Sequence, residues 1–135
     1  EVYERPYQEI CDDLFGRGDG YRTLKFKHLV DFETTSFLRG TTFNDQILIV
    51  DEINNMTFQE LDTTMTRVGE NCRVIFCGDY RQTDLNKKYE KTGIADFMGI
   101  LKNLNGFEHV EFGMGDIVRS GTVRDYIVAR TEMGF

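Results

Sequence analysis

The hydrophobic pattern is densest between Gln46 and Glu52, where Ile47-Leu48-Ile49-Val50 runs without alternation into Asp51-Glu52. An unbroken apolar run of this length reads as a strand buried on both faces, as a parallel sheet covered by helices demands. A second apolar run, Arg73 to Cys77, lies a crossover's length further along, a spacing that suits a parallel neighbour. It delivers Gly78-Asp79-Tyr80-Arg81-Gln82-Thr83-Asp84-Leu85 at its carboxyl end. Between the two strands Thr57 predicts a helix N-cap, with Glu60 placed to close a capping box. Phe58, Leu61, Met65 and Val68 then share one helical face to about Arg67, and Gly69 ends the element.

The flanks follow the same two periods. Tyr3, Tyr7, Ile10, Cys11, Leu14 and Phe15 recur at helical spacing, which predicts a helix over 2–15 with Pro6 in its first turn. Gly16-Arg17-Gly18-Asp19-Gly20 ends it in a loop whose Arg-Gly-Asp tripeptide is a by-product of a glycine-rich turn. Thr23 to Val30 alternates Leu24, Phe26 and His28 with Lys25 and Lys27, which predicts a strand. A short helix is expected over Phe32 to Leu38, then Arg39-Gly40 and a polar connector from Thr41 to Asp45. Ile94, Phe97, Met98, Leu101 and Leu104 predict a further helix, broken at Gly106. His109 to Phe112 reads as a short alternating strand, and Thr122 to Arg130 as a last helix with Val123, Tyr126, Ile127 and Val128 inward. Helices alternating with strands make a doubly wound, mostly parallel α/β sheet, and with no repeat or linker 1–135 reads as one domain.

Charge narrows the partners. Sixteen Lys plus Arg against 23 Asp plus Glu leave a formal net charge of −7 in 135 residues. That balance disfavours nucleic-acid binding over the whole surface but leaves room for a local basic groove. Arg17, Arg22, Lys25, Lys27 and His28 gather in the first third with Tyr21 and Phe26 interleaved. Cations with aromatics can track a backbone and stack bases, and a solvated strand face explains the same pattern. His28 and His109 have no metal-ligand partners at useful spacing. Cys11, Cys72 and Cys77 show no Cys-x-x-Cys spacing and read as small hydrophobes in a reducing compartment. No apolar run is long enough to span a bilayer and no secretory segment opens the chain, so a cytoplasmic location without a membrane partner is expected.

The two strand ends carry the chemistry. In open α/β sheets ligands bind at the carboxyl edge of the strands. Placing Asp51 and Glu52 at such a mouth is costly unless a cation or a reacting water meets them. The pair therefore reads as a Walker-B element, with Asp51 holding Mg²⁺ on a nucleotide and Glu52 orienting and deprotonating the attacking water. Gln82, beyond the neighbouring strand, is placed to sense the terminal phosphate. Arg119, in Asp116-Ile117-Val118-Arg119-Ser120, can meet phosphate as an arginine finger does, and an ordinary surface charge near a helix start explains the same residue.

Phe37 to Asp45, Ile47 to Asn55, Gly78 to Leu85 and Asp116 to Arg119, in that order and spacing, resemble the PhoH-like family of bacterial and phage proteins. The resemblance runs from Phe37 to Arg130. It implies a P-loop NTPase with a RecA-like core similar to superfamily 1 helicases, associated with phosphate starvation. By that family's motifs Asp51 holds the metal, Glu52 is the catalytic base, Gln82 the γ-phosphate sensor and Arg119 a phosphate-facing cation. ATP and Mg²⁺ are the implied cofactors, and remodelling of RNA or single-stranded DNA is the implied work. Arg22, Lys25, Lys27 and Arg39 are the candidate nucleic-acid contacts, and a homo-oligomer is open. Tyr80-Arg81 and Asn54-Asn55 fit phage members of the family. The Gly-x-x-x-x-Gly-Lys-[Ser/Thr] loop that would cradle the phosphates is missing, and the chain has no Gly-Lys pair at all. The chain is therefore expected to be the carboxyl portion of a longer ATPase, incomplete at its N-terminal side and inactive alone. A non-catalytic binding module, and a metal-dependent phosphohydrolase built on Asp51, Glu52 and Asp79, are the alternatives.

Overall fold

The computed structural model describes residues 2–79 and 93–134. It forms two compact units, Glu1–Met98 and Gly99–Phe135. The first holds a parallel two-stranded sheet with helices before and between its strands, an α/β arrangement.

Helix α1 spans Arg5–Phe15, with Pro at its start and Gly16 closing it at φ 63°, a left-handed cap that glycine adopts without steric cost. Helix α2, Gly20–Phe26, stands where alternation predicts a strand. A seven-residue helix is marginal by itself, so its stability comes from docking. Asp12 of α1 accepts the Tyr21 N–H at 2.8 Å, and the Tyr21 hydroxyl donates to Glu4 at 2.6 Å. Lys25, one turn on, donates to the same Glu4 oxygen at 2.8 Å and lies over the Tyr21 ring. A Cβ at Gly20 would stand 3.0 Å from the Cys11 carbonyl, so the two helices meet more closely there than a side chain would comfortably allow.

A 3₁₀ turn at Thr35–Phe37 occupies the region read as a short helix. Strand β1, Ile47–Val50, pairs in parallel with β2, Arg73–Phe76, in the register Ile47↔Arg73 through Val50↔Phe76. Helix α3, Phe58–Met65, makes the crossover and begins at the expected capping box: Thr57 Oγ1 accepts the Glu60 N–H, and Glu60 accepts the Thr57 N–H at 2.8 Å. Leu61 of α3 is wholly buried, and Val50, Ile53, Ile94 and Phe97 are core residues with it. Helix α4, Gly93–Leu101, sets Phe97 edge-on against Phe76 of β2, ring centroids 5.0 Å apart.

The expectation of a strand buried on both faces does not hold for β1. Ile47 is 65% exposed and Ile49 64%, with Ile75 of β2 on the same face at 49%. Leu48, Val50, Val74 and Phe76 point the other way and are buried or half-buried. A two-stranded sheet covered on one side gives this alternation whatever the residue types.

In the second unit, His109 to Phe112 forms no strand, and Phe112 is 77% exposed. Alternation makes a strand only where a neighbouring edge receives it, and the described residues present none there. Helix α5, Gly121–Glu132, arrives close to its expected limits but buries none of its residues. Tyr126 is 66% exposed, against the inward face expected for Val123, Tyr126, Ile127 and Val128.

Candidate functional site

Val50 is buried at the end of β1, and Asp51 and Glu52 emerge exposed immediately after it. The chain must then turn without losing its hold on β2. It does so by taking Glu52 into the left-handed region, φ 55° and ψ 37°, and continuing into a 3₁₀ turn at Ile53–Asn55. A non-glycine residue held there costs of order 1 kcal/mol and persists only where the surroundings impose it. The surroundings are visible: the buried Ile53 donates its N–H to the Cys77 carbonyl at 3.0 Å, and Cys77 donates to the Val50 carbonyl at 2.8 Å.

The same zipper brings the end of β2 across. Asp79 N–H donates to Asn54 Oδ1 at 3.2 Å, so Asp51-Glu52 and Gly78-Asp79 share one mouth. Gly78 is needed there for room, because a Cβ would lie 2.7 Å from Ile53 Cγ1 and 3.0 Å from Asn54 Oδ1. The parallel juxtaposition of the two strand ends expected from the spacing is what the fold provides.

Asp51 is held on both oxygens. Oδ1 accepts the Glu52 N–H at 2.9 Å, and Oδ2 accepts the hydroxyl of Tyr7 from α1 at 2.8 Å. Burial, then the hydrogen bond to Asp51 and the charges of Asp51 and Glu52, push the Tyr7 phenol up to about 12. Burial, with the Asp51 charge behind it, also raises the Cys77 thiol, which keeps it a neutral packing group. Glu52 Oε2 accepts from Asn55 Nδ2 at 3.3 Å, leaving the rest of its carboxylate facing solvent at the mouth. Tyr7 and Asn54 are the participants that sequence reasoning missed. Tyr7 reads from the sequence as one more apolar position on a helix, and Asn54 as a polar residue in a turn.

Hard-oxygen ligands suit Mg²⁺, which binds through one or two carboxylates plus phosphates and water and does not need an all-protein cage. Asp51 fits that role. Among the described residues no group of three His, Cys, Asp or Glu side chains is gathered to hold a metal.

The remaining site candidates are placed as follows. Gln82 lies outside the described residues. Arg119 is exposed in a bend between a 3₁₀ turn at Met114–Asp116 and α5, in the second unit, with no strand before it. Arg22 and Lys25 lie on α2, Lys27 caps it, and Arg39 is exposed in the loop beyond the 3₁₀ turn. These positions are not the face of a strand. Lys25 is engaged with Glu4 and sits 3.7 Å from Asp31, and its hydrogen bond holds the Glu4 carboxyl below the usual range. Tyr21 is core and unavailable for stacking, whereas Phe26 is exposed. Arg17 pairs with Asp19, which closes the glycine-rich loop upon itself. No helix among the described residues is long and apolar enough to cross a membrane.

A family model described as PhoH-like protein matches residues 1–130. The chain belongs to the PhoH-like family. It is 31% identical over 129 residues to a PhoH-like protein of Bacillus subtilis (strain 168), covering 96% of this chain and 40% of that protein. A PhoH-like protein of Synechocystis is 30% identical over 128 residues, covering 95% of this chain and 36% of the relative. Protein PhoH of Escherichia coli (strain K12) is 34% identical over 91 residues, 67% of this chain and 25% of that protein. The chain thus spans 40% or less of the length of these PhoH-like relatives.

Proposed function

We propose that this PhoH-like chain supplies the Walker-B half of an ATP-binding and ATP-hydrolysing site, coupled in the whole protein to RNA or single-stranded DNA. The observation that supports the reading is the zipped mouth of β1 and β2, where Asp51-Glu52 and Gly78-Asp79 are held together by Ile53 N–H to Cys77 and Asp79 N–H to Asn54. Asp51 would hold Mg²⁺, which supplies charge neutralisation at the β- and γ-phosphates when bound. Glu52, exposed on a left-handed turn with one carboxylate oxygen accepting from Asn55, would take the proton of the attacking water. By the family's motifs Gln82 would sense the terminal phosphate and pass on its loss.

The test is Glu52→Gln in the intact protein. Binding of a fluorescent ATP analogue should persist while phosphate release falls by at least a hundredfold, the scale of a positioned general base. Equal loss of binding and turnover would contradict the division of labour. Hydrolysis unaffected by the substitution would take the role of catalytic base away from Glu52.

A further inference from the structure

The Asp51 carboxylate receives one hydrogen bond from its own turn and one from elsewhere in the first unit. Exposed aspartates at strand ends ordinarily sample several rotamers, and the local bond from Glu52 N–H to Oδ1 restrains only one oxygen. The bond to Oδ2 comes from Tyr7, 44 residues earlier in the chain, at 2.8 Å. Tyr7 is itself fixed, set in the first turns of α1 just after Pro6 and packed against Phe32 with ring centroids 5.6 Å apart. Each carboxylate oxygen has two lone pairs, so with one engaged on each, one remains on each.

We infer that Tyr7 is a positioning residue for Asp51, its hydroxyl locking the carboxylate in the one rotamer that presents a free lone pair to the divalent cation. The inference rests on the assignment of Asp51 as the metal-holding residue. Groups that hydrogen-bond to a metal-ligating carboxylate set its orientation, and their removal costs roughly ten- to a hundredfold in metal affinity. The donor here is neutral and carries a single hydrogen, so it anchors Asp51 without competing for the cation. A lysine in its place would bring a charge that opposes metal entry.

The experiment measures the Mn²⁺ concentration needed to support binding of a fluorescent ATP analogue to the intact protein, for the unaltered protein, Tyr7→Phe and Asp51→Asn, with the thermal unfolding midpoint of each. Asp51→Asn should remove the Mn²⁺ dependence, and Tyr7→Phe should raise the required Mn²⁺ by about tenfold. A purely structural Tyr7 would lower the unfolding midpoint and leave the Mn²⁺ requirement where it was, which overturns the inference. If Asp51→Asn has no effect, the metal assignment itself fails and the inference falls with it. A second measurement stands if Tyr7→Phe does not fold. Tb³⁺ bound at Asp51 would be sensitised through the nearest aromatic ring, and the hydroxyl of Tyr7 is the phenol at that carboxylate, so the component of the emission that Asp51→Asn removes is the one to read. Sensitised emission lost in Asp51→Asn supports the placement, and its absence from the unaltered protein overturns it.

Discussion

Replacing Gly78 by alanine tests the joint on which the site depends. Gly78 does not adopt a positive φ, so the objection to a side chain is spatial. The added methyl would stand 2.7 Å from Ile53 Cγ1, 3.0 Å from Asn54 Oδ1 and 3.3 Å from Asn54 N. Ile53 is 4% exposed and cannot swing clear, so the ends of β1 and β2 must separate. Overpacking of this kind costs about 1–3 kcal/mol. Losing the bond from Asp79 N–H to Asn54 Oδ1 adds roughly 1 kcal/mol. Alanine also restricts the unfolded chain, which returns about 0.4–1 kcal/mol. The net expectation is a loss of about 2 kcal/mol, read as a lower urea midpoint at unchanged slope. Gly99→Ala is the control: Gly99 lies in α4 with nothing within 4 Å of an added Cβ, and alanine there should stabilise by roughly 0.5–1 kcal/mol. Pairing Gly78→Ala with Ile53→Ala should cost less than the sum of the two, since the second removes the atom the first strikes. If Gly78→Ala proves as stable as the unaltered protein, the two strand ends are not in close contact and the shared mouth is wrong.

Thr57→Ala removes the capping box of α3 and should cost about 1 kcal/mol in the same urea assay, with Thr57→Ser close to neutral. Tyr7 and Tyr21 are both pushed up to about 12, first by burial and then by their bonds to Asp51 and Glu4. The folded state therefore holds protons that the unfolded chain releases near pH 10. Stability is full below that pH and falls as the pH rises from about 10 towards about 12. Ultraviolet titration of phenolate should show both tyrosines ionising late, and Tyr7→Phe should remove one late step.

Much of the first unit was legible because local and non-local signals agreed. Ile47 to Val50 ends in two acids, Thr57 and Glu60 carry the spacing of a capping box, and Arg73 to Cys77 follows at a crossover distance. Parallel pairing is nearly forced by that order. The stretch from Thr23 to Val30 misleads because Leu24, Phe26 and His28 alternate, while Tyr21 and Lys25, one helical turn apart, both reach Glu4. The tertiary partner chose the helix, and nothing local announces that partner. The alternation of His109 to Phe112 misled for the complementary reason, since a strand is half of an interaction. Tyr7 could not be found from spacing at all: its bond to Asp51 depends on how α1 lies against the sheet end.

A crystal structure of the intact protein with Mn²⁺ and a non-hydrolysable ATP analogue, with the metal located by its anomalous scattering, bears most directly on the site. The proposal predicts Mn²⁺ at Asp51, directly or through one water, with the terminal phosphate facing Glu52 at the carboxyl ends of β1 and β2. Nucleotide and metal bound elsewhere, with Asp51 touching only Tyr7 and the Glu52 amide, would contradict it.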